Sequence, residues 1–241
     1  MQIEGGNPVF EALKSETKVN LVLVQSRSVS SQKIREIISL ARKKGIRVRK
    51  TGKNKLDKMS QTKNHQGIIA HIRRETKSLK EVIAELNKAR KQPFFVLINE
   101  VHHQQNLGAI IRTAECAGSN GVIVPSKTRI TTEATRASMG ATEYIPVIRE
   151  NIFNATKLLK ENAIKIVGLE ASGKKSVYQE DLTGAITIVI GGEDRGITRS
   201  LLTRCDIVLK IPLFGKINSL NMSNAAAIAL FEKVRQELEN R

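Results

Sequence analysis

Long apolar runs separated by helical patterns fill the chain from Pro93 onward. Strands that are apolar on both faces and alternate with helices are typical of a parallel sheet covered on both sides. We therefore predict an α/β domain over residues 93–241. Its expected strands are PFFVLINEV, GVIVP, IKIVGLE, AITIVIGG and DIVLKIPL.

A smaller α/β pattern occupies residues 1–75. The charged segment 76–92 has only a short helical apolar pattern and ends before Pro93, so we predict that it links two domains. The expected elements of the smaller domain are strands at KVNLVLVQS, GIRVRK and HQGIIAHI and a helix at SQKIREIISLARKKG, which starts at Ser and ends at Gly.

Length and composition indicate a folded protein, which we expect in the cytoplasm. The chain has 241 residues, of which 40% are apolar, enough for the cores of two modest domains. It has no apolar run of membrane-spanning length, and its first ten residues lack the order of a signal peptide. Cys116 and Cys205 lie far apart without a C-x-x-C spacing, so neither a disulfide framework nor a metal site is indicated.

The net charge of +17 points to a polyanionic partner, with nucleic acid ahead of a membrane surface. Residues 1–92 hold 22 Lys and Arg against 8 acids, whereas residues 93–241 hold 18 against 15. Within the run 42–58 there are nine cations and one acid, without the alternating signs of a solvated helix face. We therefore expect phosphate contacts from Arg42, Lys43, Lys44, Arg47, Arg49, Lys50, Lys53 and Lys55.

The content of aromatic residues limits how a nucleic acid can be recognised. Aromatics make up 3% of the chain and there is no Trp, so side chains that could stack on unpaired bases are scarce. No zinc-finger spacing or basic zipper occurs. We expect recognition of backbone and shape.

Three polar turns follow strands of the larger domain, at the strand ends where open parallel sheets bind ligands. They are HHQQNLGAIIRTAE, GGEDRG and the opening of the stretch IPLFGKINSLNMSN. In the second, Gly191 and Gly192 offer bare backbone beside Glu193 and Asp194. Carboxylates would repel phosphates, so this turn suits an uncharged, hydrogen-bonding ligand such as adenosine.

A phosphate-binding loop is a competing interpretation of GLEASGKK, residues 168–175. The stretch nearly matches G-x-x-x-x-G-K-[ST], but Lys175 stands where the hydroxyl that binds Mg²⁺ belongs. The following SVYQEDLTG is a poor helix for receiving phosphate. An NTPase therefore remains only an alternative.

The adjacent His102 and His103 are candidates for metal binding or for acid–base catalysis. Neighbouring residues on a strand point to opposite faces, and no nearby pattern completes a set of metal ligands. We assign neither histidine a role.

Together the three turns resemble the motifs of the SpoU, or TrmH, family of RNA ribose 2′-O-methyltransferases in the SPOUT class. The matching residues are Asn106 and Arg112 in the first motif, Glu193 in the second, and Ser219, Leu220 and Asn221 in the third. The first third of the chain is similar to the ribosomal-protein-L30e-like substrate domain of members that methylate a guanosine of 23S ribosomal RNA.

The resemblance implies an enzyme with a C-terminal trefoil knot in its parallel sheet, S-adenosylmethionine as cofactor, no metal, and a homodimer with its active site at the subunit interface. The implied cofactor-binding residues are Leu169, Gly191, Gly192, Ile211, Ser219 and Leu220. The implied catalytic residues are Asn106, Arg112, Glu193 and Asn221.

Two positions depart from the family pattern. His103 stands where the family usually has Asp, and Asp194 where it usually has Gly.

A guanidinium has little capacity to accept a proton at neutral pH, so we expect Arg112 to stabilise the developing alkoxide while the proton leaves through water or a phosphate oxygen.

Two other functions remain alternatives: a tRNA 2′-O-methyltransferase and a non-catalytic RNA-binding ribosome factor.

Overall fold

The computed structural model describes residues 1–240 and divides the chain into two compact units. The first unit comprises Met1–Glu75 and Ile130–Tyr144, and the second comprises the rest. The elements up to residue 129 are β1 (Gln2–Glu4), α1 (Gly6–Lys14), β2 (Lys18–Gln25), α2 (Gln32–Lys43), β3 (Arg47–Thr51), α3 (Lys53–Met59), β4 (Ile68–Arg73), α4 (Leu79–Lys88), β5 (Phe94–Ile98), α5 (Gln104–Cys116) and β6 (Gly121–Pro125). Those that follow are α6 (Thr132–Ala137), β7 (Val147–Glu150), α7 (Ile152–Glu161), β8 (Lys165–Leu169), β9 (Lys175–Ser176), β10 (Ile186–Ile190), α8 (Arg199–Leu202), β11 (Ile207–Lys210) and α9 (Met222–Glu239). Short 3₁₀-helices lie at Ser26–Ser30, Ala141–Glu143 and Val177–Gln179.

The first unit is built on a four-stranded mixed sheet in the order β1-β4-β2-β3. Strand β4 runs antiparallel to both β1 and β2, whereas β3 is parallel to β2 and forms an edge. The main core lies where α1 and α2 pack on this sheet, and Ile37 and Val22 are completely buried there. The strands and the helix predicted for this region are present, while β1, α1 and α3 were not predicted.

The segment Ile130–Tyr144 packs with the first unit, although the sequence analysis placed it in the larger domain. The hydroxyl of Thr132 donates to the carbonyl oxygen of Gln2 at 3.1 Å. Arg74 pairs with the buried carboxylate of Glu143 and also donates to Thr142. The polar groups at both ends of the segment thus find their partners in residues 1–75, which the local sequence pattern does not reveal.

Residues 76–92, predicted to be a linker, belong to the second unit. They contain α4, which begins with a capping box formed by Ser78 and Glu81. Leu79, Val82, Ile83 and Leu86 lie on one face of the helix and are buried in the main core of that unit. The charged residues that suggested a linker occupy the opposite, solvent-facing side of an amphipathic helix.

The second unit contains a seven-stranded sheet in the order β7-β6-β5-β10-β8-β11-β9. Every neighbouring pair in it is parallel, which confirms the predicted α/β fold with a parallel sheet. All five predicted strands are present, and β7 and β9 extend the sheet at its two edges. The trefoil knot stays a prediction.

The last helix, α9, is only partly covered by its own unit. Leu230 is buried, but Phe231 is 46% exposed and Leu238 is 61% exposed. Within residues 1–240 no helix, α9 included, has both the length and the apolar character needed to cross a membrane.

A buried carboxylate, that of Glu4, joins the end of β1 to the loop after α3. It accepts hydrogen bonds from the backbone N–H of Gln61 at 2.7 Å and from the hydroxyls of Ser60 and Thr62 at 2.8 and 2.5 Å. Burial alone would raise the pKa of Glu4, but these bonds and one from Gln2 outweigh it and lower the pKa. The stabilisation is therefore present above the ordinary carboxyl pKa and is lost as the pH falls through the lowered one.

We predict that Glu4→Gln destabilises the first unit by about 2 kcal/mol at pH 7, because it removes charge-assisted hydrogen bonds to a buried group. Amide hydrogen exchange of β2 and β4 would measure the loss in this unit by itself. The difference between wild type and variant should shrink in acid, as Glu4 becomes protonated. Glu16→Gln, which changes an exposed carboxylate, should have no measurable effect. Equal protection in Glu4→Gln and wild type at pH 7 would contradict the prediction.

Candidate active site

Four neighbouring strands of the second unit end at one cavity. Strands β5, β10, β8 and β11 lie side by side and parallel, so the turns after them share one edge of the sheet. The turns after β8, β10 and β11 enclose a cavity of ≈ 470 Å³. It is lined by Leu169, Glu170, Ala171, Ile190, Gly191, Gly192, Glu193, Asp194, Arg195, Gly196, Ile211, Leu213, Asn218, Ser219, Leu220, Met222 and Ala225.

The turn after β10 is tightly folded against its own return. A Cβ atom at Gly191 would lie 2.6 Å from the carbonyl carbon of Gly196, so no larger residue fits there without a shift of backbone. Gly196 itself has a φ of 61°, a region that favours glycine. The carboxylate of Glu170 accepts the backbone N–H of Ile197 at 2.8 Å and so ties this turn to the end of β8.

A chain of side-chain hydrogen bonds connects three turns at the cavity. The amide of Asn106, on the first turn of α5, donates to Oε1 of Glu193 at 2.7 Å. The amide of Asn221 donates to Oδ1 of Asn106 at 3.1 Å. Oδ1 of Asn221 in turn accepts the backbone N–H of Ser223 at 2.8 Å and thereby caps α9. Asn106, Glu193 and Asn221, which come from three different motifs and were predicted to be catalytic, are thus joined by hydrogen bonds.

The two histidines lie in the loop between β5 and α5 rather than on a strand. Nε2 of His103 is 3.1 Å from Oε2 of Glu193. Nε2 of His102 is 3.3 Å from Glu100 and 3.9 Å from Asp194. Both positions that depart from the family pattern therefore take part in imidazole–carboxylate contacts beside the cavity. No group of three or more His, Cys, Asp or Glu residues within positions 1–240 could hold a metal ion.

Arg112 does not join the other predicted catalytic residues. It lies on α5, six positions after Asn106, and its side chain is exposed. It does not line the cavity. Within one chain, hydrogen bonds therefore join Asn106, Glu193 and Asn221 but do not include Arg112.

All six residues predicted to bind the cofactor line the cavity: Leu169, Gly191, Gly192, Ile211, Ser219 and Leu220. The prediction missed Glu170, Leu213 and Met222, which line it as well. Glu170 directly follows a predicted strand, a position that could have identified it. The combination of apolar walls, accessible backbone and carboxylates suits an adenosine-containing ligand that carries positive charge.

The stretch GLEASGKK does not form a phosphate-binding loop. It leads from β8 into the two-residue strand β9, and a 3₁₀-helix of only three residues follows. The Nζ atom of Lys175 lies 2.8 Å from the carboxylate of Glu180, so the lysine is held in an ion pair. The N-terminus of a long helix that would bind a phosphate is missing from this part of the described chain.

The basic run 42–58 is distributed over two faces of the first unit. In the parallel pairing of β2 with β3, Lys50 is opposite Val24, whereas Arg47 and Arg49 are opposite Leu21 and Leu23. Val24 belongs to the core beneath α2, and Leu23 to the separate cluster with α3. Successive residues of a strand point to opposite faces, so the cations of β3 do too.

Two clefts accompany these cations. The first, here called the α2 cleft, has a volume of ≈ 440 Å³ and is lined by Val29, Arg35, Ile38, Ser39, Arg42, Lys43 and Lys50. The second, here called the strand-end cleft, has a volume of ≈ 460 Å³ and is lined by Gln25, Ser26, Arg27, Thr51, Gly52, Lys53 and Asn54. Lys55 is exposed on α3, and Lys44 donates to the carbonyl oxygen of Ser15 at 3.2 Å.

Two family descriptions match the chain. Residues 93–231 match the SpoU rRNA Methylase family, and residues 2–78 match RNA 2′-O ribose methyltransferase substrate binding. The chain is similar to YacO of Bacillus subtilis, named as a TrmH family tRNA/rRNA methyltransferase, with 35% identity over 236 residues that cover 96% of this chain and 94% of that protein. It is also similar to the 23S rRNA (guanosine-2′-O-)-methyltransferase RlmB of Escherichia coli, with 34% identity and coverages of 83% and 84%.

Solved structures agree at the level of the fold. The SpoU methyltransferase AviRb from Streptomyces viridochromogenes, in complex with the cofactor AdoMet, superposes with a TM-score of 0.84 at 23% identity and covers 99% of this chain and 91% of that one. The family match spans more than half of the chain, and relatives above 30% identity cover nearly all of it. The resemblance drawn from the three motifs is thus confirmed, and the chain belongs to the SpoU rRNA methylase family.

Proposed function

We propose that this protein is a cytoplasmic, homodimeric enzyme that methylates a ribose 2′-hydroxyl of a guanosine in 23S ribosomal RNA and uses S-adenosylmethionine. The observation that carries the proposal is the hydrogen-bonded group of Asn106, Glu193 and Asn221 beside a cavity at the ends of parallel strands. The relatives that methylate 23S rRNA guanosine favour this substrate over tRNA.

The cavity fits the methyl donor by its chemistry. Leu169, Ile211 and Leu220 provide apolar surface for the adenine ring, and Gly191 provides backbone that no Cβ covers. The carboxylate of Glu193 is of the right sign for a sulfonium cation. When bound, S-adenosylmethionine supplies an activated methyl group, and the residues around it need only orient the ribose oxygen and remove its proton.

The first unit is the expected RNA-binding unit. The α2 cleft contributes Arg35, Arg42, Lys43 and Lys50 to phosphate binding. At the strand-end cleft, Arg27 and Lys53 are accompanied by the amides of Gln25 and Asn54, which can bind base edges or sugar hydroxyls. This arrangement agrees with recognition of backbone and shape by a chain that is poor in aromatic residues.

A homodimer gives Arg112 a catalytic position that one chain does not provide. In the proposed dimer the exposed Arg112 on α5 faces the cavity of the partner subunit and stabilises negative charge on the ribose oxygen. The exposed Phe231 and Leu238 on α9, the helix that packs against α5, supply apolar surface for the contact between subunits.

Methyl transfer is tested with labelled S-adenosylmethionine and RNA from a strain that lacks the modification. We expect label in 23S rRNA and not in tRNA, on one guanosine ribose that mass spectrometry can map. Ser219→Trp, which fills the cavity from an exposed loop position, should abolish binding of the cofactor in calorimetry and leave RNA binding intact. A wild-type protein that binds RNA but no S-adenosylmethionine would instead be a non-catalytic ribosome factor.

The α2 cleft is tested by neutralising three of its cations, in the variant R42Q/K43Q/K50Q. We expect weaker RNA binding and a salt dependence, expressed as the slope of log K against log[salt], that falls by about 2 to 3 because fewer counterions are released. The matched control is K80Q/K88Q/K91Q, which removes the same charge from exposed lysines of the second unit. Equal slopes for the two triple variants would reject the assignment.

The shared active site is tested by mixing two inactive chains. We expect Arg112→Ala to lower kcat by about 10²-fold or more, as loss of a group that stabilises an oxyanion does. In dimers formed from equal amounts of Arg112→Ala and Ser219→Trp chains, about a quarter of wild-type activity should return, because half of the dimers are mixed and each contains one intact site. If Arg112 served its own chain, the mixture would stay inactive.

A further inference from the structure

His103 is an ionisable group beside the cavity to which the family motifs assign no role. Its imidazole Nε2 lies 3.1 Å from Oε2 of Glu193, and its side chain is 76% exposed, whereas that of Glu193 is 13% exposed. The backbone N–H of His103 donates to Oε1 of the same carboxylate at 3.2 Å. The carboxylate of Glu193 is thus in contact with the amide of Asn106, the backbone N–H of His103 and the imidazole of His103.

The neighbouring carboxylate favours one arrangement of the ring proton. Nε2 lies 3.1 Å from Oε2 of Glu193, and an ionised carboxylate only accepts hydrogen bonds, so the contact is favourable for a neutral ring that carries its proton on Nε2. The lone pair is then on Nδ1, on the side of the ring away from Glu193. This pairing of a base with an orienting carboxylate is the arrangement that activates hydroxyl groups in many enzymes.

We propose that His103 is the general base of the methyl transfer, a role that rests on the proposed function. The ribose oxygen forms its bond to the methyl carbon, its O–H bond breaks, and the proton moves to Nδ1 of His103. The electron pair of the old bond to carbon stays on the donor's sulfur. The resulting imidazolium is stabilised by Glu193 and then gives its proton to water.

Other groups near the cavity are less suited to accept the proton. The guanidinium of Arg112 stays protonated at neutral pH. Glu193 already accepts hydrogen bonds from Asn106 and from the backbone N–H of His103. His102 is directed to Glu100 and Asp194. Imidazole is the side chain that ordinarily exchanges protons between pH 5 and 8.

The titratable groups around His103 come from two segments. Glu193 and Asp194 lie on the turn after β10, and Glu100 and His102 lie in the loop after β5. The residues that face this region from the start of α9, Asn221 and Ser223, are neutral. A change of rate with pH can therefore be assigned to His103 only by comparison with a variant of His102.

The test compares His103→Gln with His102→Gln. Glutamine at position 103 keeps a donor for Glu193 but cannot accept a proton. In wild type, log kcat at saturating substrates should rise with pH on the acidic side with unit slope and then level off once the base has lost its proton. His103→Gln should lose about 10²- to 10⁴-fold in kcat and lack this rise, whereas His102→Gln should follow the wild type.

A second measurement needs neither cofactor nor turnover. Long-range ¹H–¹⁵N NMR spectra of the cofactor-free protein should show neutral His103 with its proton on Nε2, and Glu193→Ala should weaken this preference. Calorimetry should give the same affinity for S-adenosylmethionine in His103→Gln and wild type, so that a loss of rate is not a loss of binding.

Three results would overturn the role of His103. They are a proton on Nδ1 in the cofactor-free protein, a kcat for His103→Gln within about threefold of wild type, and the same rise with pH in both proteins. If the last two results were found and the wild-type enzyme methylates rRNA, the proposed function would stand and only the assignment of the general base would be wrong. A wild-type protein that methylates no RNA would reject both.

Discussion

The register of β10 between β5 and β8 is the constraint on which the active site depends. Ile190 pairs with Ile98 on one side and with Leu169 on the other, so three parallel strands end at the same level. The turns that follow therefore start side by side, although they are far apart in the sequence. A shift of one residue in this register would exchange the side chains of β10 between the two covered faces of the sheet and move Glu193 away from Asn106.

The sequence was most informative where function and fold are local. Apolar runs identified five strands of the parallel sheet because strands covered on both faces must be apolar throughout. The motif turns were also recognisable, because Gly191 is needed in a confined space and small polar residues mark the turn before α9. In both cases the residues themselves carry the physical requirement.

What could not be predicted depends on partners distant in the chain. Thr132 bonds to Gln2 across 130 positions, and nothing near either residue indicates this. The amphipathic helix α4 resembled a linker because its sequence pattern shows that one face is covered. The pattern does not show which part of the protein covers that face. The direction of Arg112 is a further example, since helical spacing gives its angle around α5 but not the surface it faces.

Under the proposed function, the charges of the molecule are divided between two tasks. The cations in the two clefts of the first unit attract a polyanion, whereas at the cavity Glu170, Glu193 and Asp194 outnumber the single cation Arg195. Acidic groups favour a cationic donor and disfavour a phosphate in the same place. Where the family usually has an aspartate, this chain places the imidazole of His103 3.1 Å from Glu193. Under the proposed role of His103, this exchange puts beside Glu193 a neutral group that can take up a proton, which a guanidinium does not do at neutral pH.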